Sequence, residues 1–248
     1  MKVTLITVCR NVAPVIAKTL DSVLAQVHPR IEVIVIDGAS TDGTVDILNG
    51  YRHRIDVLLS EPDKGIYDAM NKGLERATGD VIGFVNAGDL LMDPEVIGAV
   101  VDAFERSGAD AVYGDIIMVD EADITQVKRT WKSGAYSRSN FSNGWMPPHV
   151  ATFIRRSAYD AHGHFNTDLR IAADYEILFR MLYKHRLAAV HLPKVLVRFR
   201  LGGMSNGSVR HVLKANAEVR RSWRINGYQA PPLLVTRKLW SKVLQFFH

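Results

Sequence analysis

Cysteine is all but missing from this chain: of 248 residues only Cys9 carries a thiol. No internal disulfide can form, which excludes a disulfide-stapled scaffold and fits a reducing compartment. With no activating partner identifiable in the sequence, Cys9 reads as a strand-end residue and not as a nucleophile. Long apolar runs are also missing. No stretch approaches the length of a membrane-spanning helix. The first residues, Met1-Lys2-Val3-Thr4-Leu5-Ile6, run straight into a strand pattern without the apolar region of a signal peptide. The expected location is cytoplasmic, at most attached to a membrane surface. Glycine is lacking where nucleotide-binding motifs need it. The turn Val8-Cys9-Arg10-Asn11-Val12-Ala13 holds none, and Gly-Lys-Ser/Thr does not occur. These absences exclude the dinucleotide fingerprint and the phosphate loop. Internal repeats and low-complexity tracts are absent as well.

What is present suits one α/β domain with additions: the length, and 47% hydrophobic residues to fill a core. The net charge of +5 favours anionic partners such as nucleotides or an acidic membrane surface. A nucleic-acid partner is not expected, because no recognised motif accompanies the charge.

Hydrophobic periodicity predicts strands over 3–8, 31–36, 56–60 and 81–85, and a fifth starting at Ala111. Helices are predicted over 12–27, 45–51 and 66–77, and from Pro94 to about Arg106. This alternation is the signature of a layered sheet. From about Asp120 to Pro148 the pattern breaks into a Ser-, Asn- and Gly-rich stretch read as loops. A strand over 150–154, a helix over 175–185, an extended segment over 188–200 with a turn near Pro193, and a helical tail follow.

Three of the apolar runs end in oxygen-bearing residues: Asp37 after the second strand, Asn86-Ala87-Gly88-Asp89 after the fourth, and Asp115 after Tyr113-Gly114. Ligands of mainly parallel sheets bind at the carboxyl ends of the strands. These ends therefore predict one polar cleft, suited to a divalent cation and a phosphorylated or polyhydroxylated ligand.

The ordered set Asp37-Gly38-Ala39-Ser40-Thr41-Asp42-Gly43-Thr44, Ser60 to Gly73, Ala77-Thr78-Gly79-Asp80 and Phe84-Val85-Asn86-Ala87-Gly88-Asp89 resembles glycosyltransferase family 2, over roughly residues 3–205. The branch it is most similar to comprises small bacterial enzymes that build O-antigen, capsule or exopolysaccharide units. The resemblance implies a GT-A fold: a Rossmann-like, mainly parallel sheet flanked by helices. It implies a nucleotide-binding half over about 1–115, an acceptor half over about 116–205, and a basic helical extension over 206–248. It also implies inverting transfer of a sugar from a nucleotide-sugar donor, by default a UDP-sugar, to a glycan or polyprenyl-linked acceptor, with Mg²⁺ or Mn²⁺.

By the same resemblance, Asp37 holds the base, and Thr7, Arg10 and Asn11 line its pocket. Lys64 and Gly65 approach the base and ribose, with Asp68 and Asn71 following on that helix. Asn86, Ala87, Gly88 and Asp89 occupy the place of the Asp-x-Asp metal motif, with Asp89 as the metal ligand. Asp174 matches the general base, His149 a recurrent histidine, and Gly202-Gly203-Met204-Ser205 a loop that closes over the donor. Asn86 offers only an amide oxygen, and Gly88 stands where the motif has its second Asp. The metal is therefore expected to arrive with the donor's phosphates. Asp115 is read as a sugar or acceptor contact.

Taken singly, Asp37 and Asp42 also suit helix caps, Asp174 an N-cap, and His149 a structural histidine. A sugar-phosphate nucleotidyltransferase and a non-catalytic nucleotide-sugar or membrane-binding module remain as alternatives. At ~100° per residue, Val235 to His248 separates an apolar arc from a cationic one, the pattern of a helix on an anionic membrane or of one docked on protein.

Overall fold

The computed structural model describes residues 1–202, 209–232 and 234. The chain begins β1 (Val3–Cys9), α1 (Ala13–Leu24), β2 (Ile31–Asp37), α2 (Thr44–Gly50), β3 (Val57–Ser60), α3 (Ile66–Leu74), β4 (Val81–Phe84). It continues β5 (Leu90–Leu91), α4 (Val96–Ser107), β6 (Ala111–Val119), β7 (Val127–Trp131), β8 (Thr152–Arg155), α5 (Arg156–His162), α6 (Ala173–Leu178), β9 (Ala189–Arg200) and α7 (Val209–Ile225). The strands form one sheet in the order β3-β2-β1-β4-β8-β6-β9-β5, with β7 pairing β6 off this path. β1 to β4, β6 and β9 run one way, whereas β8, β5 and β7 run against them.

Alternate residues feed two cores, as a sheet buried on both faces requires. Val3, Leu5, Val33 and Val35 join Ile16 and Leu20 of α1, Leu48 of α2 and Val100 and Phe104 of α4. Ile6, Val8, Ile34 and Ile36 join Met70 of α3, Tyr159 of α5, Ile177 of α6 and Trp223 of α7. The two halves expected around residue 115 share this one sheet.

The structure departs from the sequence reading in four places. Asp115 does not end its strand; it lies mid-way along β6, which runs on to Val119. The reason is that β9 and β7 supply pairing partners beyond the point where β8 stops. β9 accommodates Pro193 by slipping register: Tyr113 pairs with His191, but Asp115 with Val195 and Ile116 with Val197. A residue without an N–H thereby sits where no ladder bond is needed. Second, the stretch read as loops contains β7, a polar edge strand with no apolar stripe to announce it. Third, the helix expected over 175–185 is α6 followed by a wider π-type turn over Phe179–Lys184. Last, α4 starts at Val96 and not at Pro94, because the Asp93 carboxylate first accepts the Glu95 N–H. Residues 203–205 and 235–248, the expected donor loop and amphipathic segment, lie outside the described residues.

Candidate active site

The carboxyl ends of β1 and β2 are laced together by their loops. Asn11, at a left-handed φ of 52°, donates its N–H to Ser40 Oγ (2.8 Å) and accepts the Thr41 N–H on its side-chain oxygen (2.9 Å). Asp42 accepts from Ala13 N and from Thr44 N and Oγ1. The Thr44 hydroxyl and these N–H groups hold its carboxyl below the usual range. Asp37 is fully buried. It receives Ser40 Oγ and, at 3.7 Å, Cys9 Sγ on Oδ1, and Ser40 N and Ser60 Oγ on Oδ2. Burial, with Asp37 alongside, pushes the Cys9 thiol far up, so Cys9 is no nucleophile. Gly38 permits the crowding: a Cβ there would meet Asp63 Oδ2 at 2.1 Å and Arg10 Cδ at 3.2 Å. Arg10, Lys64 and Gly65 are exposed at this rim.

Next along the sheet, the turn after β4 closes with Asp89 N–H on Asn86 O (3.0 Å), while Gly88, at φ 100°, donates its N–H to Thr19 Oγ1 (2.9 Å). A positive φ at that place suits glycine. Asp89 is buried, and among the described residues the only polar partner of its carboxylate is the Arg200 N–H at 3.1 Å. Burial pushes its carboxyl up to about 8 despite that bond. Beside it, Asn86 Oδ1 is buried without a partner among the described residues, as are Thr7 Oγ1 on β1 and His149 Nε2. Buried polar atoms are normally satisfied, and orphans gathered at one end of a sheet mark a place where a ligand completes the bonding.

Asp174 reaches this end from the other core. His149 packs its ring 5.2 Å from Phe84 and 5.5 Å from Phe165, and Phe165 stacks on Tyr67 at 5.7 Å. The Tyr67 hydroxyl donates to Ile171 O (2.9 Å) and, more weakly, to Asp174 Oδ1 (3.4 Å). Asp174 Oδ1 also accepts the Tyr175 N–H at 2.7 Å; Oδ2 has no partner among the described residues. Burial lowers the His149 pKa, with the Asp174 charge opposing it. Asp37, the Asn86–Asp89 turn and Asp174 thus share the carboxyl end of the parallel strands.

Other expected residues are engaged elsewhere. Asp68 accepts the Lys64 N–H at 3.0 Å and lies 3.9 Å from Lys72 Nζ, tying α3 to the loop before it. The Asn71 side chain makes a two-point clamp on the Phe165 backbone, donating to its C=O and accepting its N–H, both at 2.9 Å. Asp115 Oδ1 accepts Ser133 N–H and faces His191 Nε2, both at 2.8 Å. Sequence reasoning missed Tyr67, although it stands inside the quoted motif. It also missed Glu218 of α7, whose carboxylate accepts the N–H groups of Arg170, Ile171 and Ala172 at 3.2, 2.8 and 2.9 Å. Nothing local signals Glu218, which acts across 46 residues.

Residues 4–163 match the sequence profile described as Glycosyl transferase family 2. The chain belongs to that family. A PGL/p-HBAD biosynthesis glycosyltransferase of Mycobacterium bovis is 32% identical over 202 residues, covering 79% of this chain and 76% of that protein. The fold matches Staphylococcus aureus TarS, solved with UDP-GlcNAc, at a TM-score of 0.71 and 18% identity, over 96% of this chain and 72% of that one. It also matches a Pyrobaculum calidifontis mannosyltransferase solved with GDP-Man and Mn²⁺, at a TM-score of 0.68 and 21% identity, over 96% and 69%. The architecture is GT-A, and the protein is a glycosyltransferase. The nucleotidyltransferase and non-catalytic alternatives fall away.

For a family 2 member the acidic turn is sparse. Among the described residues no group of three or more His, Cys, Asp or Glu side chains is placed to hold a metal ion. The turn offers the Asp89 carboxylate and the orphaned Asn86 amide oxygen. That donor set fits a hard cation taking its remaining positions from phosphate oxygens and water, not a dedicated cage. Among the described residues no helix is long and apolar enough to cross a membrane.

Proposed function

We propose that this family 2 enzyme transfers a sugar, with inversion, from a nucleotide-sugar donor to a hydroxyl of a glycan or lipid-linked acceptor, in bacterial surface polysaccharide or glycolipid synthesis at the cytoplasmic side. The observation that carries this reading is the Asp174 carboxylate. Oδ1 is fixed by the Tyr175 N–H and touched by Tyr67, while Oδ2 is left without a partner among the described residues. A base held by one oxygen presents the other to an incoming hydroxyl.

In the proposed reaction Oδ2 takes the acceptor proton as the acceptor oxygen attacks sugar carbon 1. The bond from that carbon to the β-phosphate oxygen breaks, and the nucleoside diphosphate leaves. A Mg²⁺ or Mn²⁺ bound with the donor at Asp89 and Asn86 would supply Lewis-acid neutralisation of that leaving group. The buried, partner-poor Asp89 carboxyl and the orphaned Asn86 oxygen support this assignment. UDP is the preferred nucleotide, in keeping with the UDP-GlcNAc complex of TarS. Asp37 already receives Ser40 and Ser60, so a base bound there would replace one of their bonds. Thr7 Oγ1, still unpaired, is the freer contact. Arg10, Lys64 and Gly65 at the rim complete the donor side, and Asn11 and Asp68 shape its loops.

A panel of nucleotide sugars with Mg²⁺ or Mn²⁺, scored by nucleoside-diphosphate release with and without lipid-linked glycan, tests the reading. Asp174→Asn should abolish transfer and leave donor binding intact; unchanged turnover would remove Asp174 as base.

A further inference from the structure

We propose that the exposed face of α7 is a docking surface for an anionic phospholipid membrane, a proposal that stands independently of the reaction above. α7 turns Val219, Ser222 and Trp223 inward, where the Trp223 Nε1–H donates to Tyr175 OH at 2.9 Å. At ~100° per residue the opposite arc, ~140° wide, holds Lys214, Arg220, Arg221 and Arg224 together with Leu213 and Ile225. Leu213 is 65% exposed and Ile225 44%. No acidic side chain falls inside this arc. The helix's one acid, Glu218, lies at its margin and is turned onto the 170–172 backbone.

Arg221 donates to Asp168 O at 3.2 Å and lies 3.9 Å from its carboxylate; Lys214, Arg220 and Arg224 have no ion pair among the described residues. Arg221, Arg224 and Ile225 line a surface concavity. Exposed cations, three of them without an ion pair among the described residues, interleaved with exposed aliphatic side chains match a lipid surface, which offers phosphates and, just beneath them, hydrocarbon. No aromatic side chain lies on the exposed arc to stack a base, which disfavours single-stranded nucleic acid. The sequence of 235–248 repeats the same alternation of cationic and apolar residues.

The orientation has a consequence for the site. Glu218 grips the loop that leads into Asp174 and Arg221 bonds Asp168 of the same loop, so the docking face borders that loop. A membrane-bound molecule would hold Asp174 close to the head groups.

Vesicle co-sedimentation of the full chain tests this. Phosphatidylcholine vesicles are compared with vesicles also containing phosphatidylglycerol, at low and high salt. The wild type should bind only the anionic vesicles and release at high salt. Combining Arg220→Gln, Arg221→Gln and Arg224→Gln should weaken binding about a hundredfold without altering donor-sugar hydrolysis. If the triple variant does not fold, single Arg220→Gln and Arg224→Gln chains carry the same test at about fivefold each. Equal binding to neutral and anionic vesicles, or undiminished binding by the variants, overturns the proposal. So does retention of a single-stranded oligonucleotide as tight as the anionic vesicles, or a dimer that the triple variant dissociates.

Discussion

Replacing Glu32 by glutamine tests how the sheet is fastened at the end opposite the site. Glu32 is 7% exposed on β2, where its register partner on β1 is Thr4. Its carboxylate accepts from Lys2 Nζ (2.8 Å) and Thr78 Oγ1 on Oε1, and from Thr4 Oγ1 (2.6 Å) and Thr78 N (2.8 Å) on Oε2. Burial alone would raise its pKa, but these donors outweigh burial and hold it at about 2 against an ordinary 4.5. A folded-state pKa below the unfolded one stabilises the fold above the unfolded value, and that stability is lost as pH falls towards the folded value. At 1.36 kcal/mol per pH unit of difference the carboxylate contributes about 3 kcal/mol at pH 7. Of this, about 2 kcal/mol is gone by pH ~3.

Urea unfolding of wild type and Glu32→Gln at a series of pH values measures the effect. At neutral pH the variant should be less stable by about 3 kcal/mol, a drop in Tm of roughly 6–12 °C for a chain of this size. The gap should hold down to about pH 5 and then close mainly by loss of wild-type stability. Transfer activity of the folded variant should be unchanged. A gap that is absent at pH 7, or equally wide at pH ~3, would refute the reasoning.

Other outcomes are expected. Asp89→Ala should remove the metal dependence of donor affinity, read by calorimetry with and without Mn²⁺; equal affinities in wild type under both conditions would discard the cation. Glu176→Ala should cost about 1.5–3 kcal/mol, because it removes the carboxylate that pairs the half-buried Arg180 at 3.0 Å and accepts the Asn226 side-chain N–H, leaving Arg180 only the carbonyls of His162, Gly163 and His164; chemical denaturation measures this. Glu218→Ala should lower kcat more than it changes the donor KM, since it frees three backbone N–H groups upstream of Asp174. A variant with wild-type kcat would show that the loop keeps its place without Glu218.

Most of the fold was legible because apolar alternation along β1, β2 and β4 and helical spacing in α1, α3 and α4 are local properties. β7 was not legible, because an edge strand with polar side chains has no stripe to display. The full length of β6 was hidden too, because Gly114-Asp115 reads as a terminus until β9 is known to lie beside it. Of the candidate site, Asp37, Asn86, Asp89, His149 and Asp174 stand out in the sequence, being acids, an amide and a histidine at strand or helix ends. The sequence could not show how their hydrogen bonds are spent. Asn71, expected near the donor, spends its side chain on the Phe165 backbone. Tyr67 looks like core and touches Asp174.

The grip of Glu218 on residues 170–172 bears on how such enzymes can be re-engineered. The family profile ends at residue 163, which invites grafting everything after it from another member. In this molecule the graft boundary would cut between a carboxylate and the strand ends it helps to complete. Wherever the boundary is set, the stretch from Phe165 to Trp223 has to move as one piece, because Glu218 ties residues 170–172 to α7. Exchanging only the tail would remove Glu218 and leave the loop before Asp174 untethered.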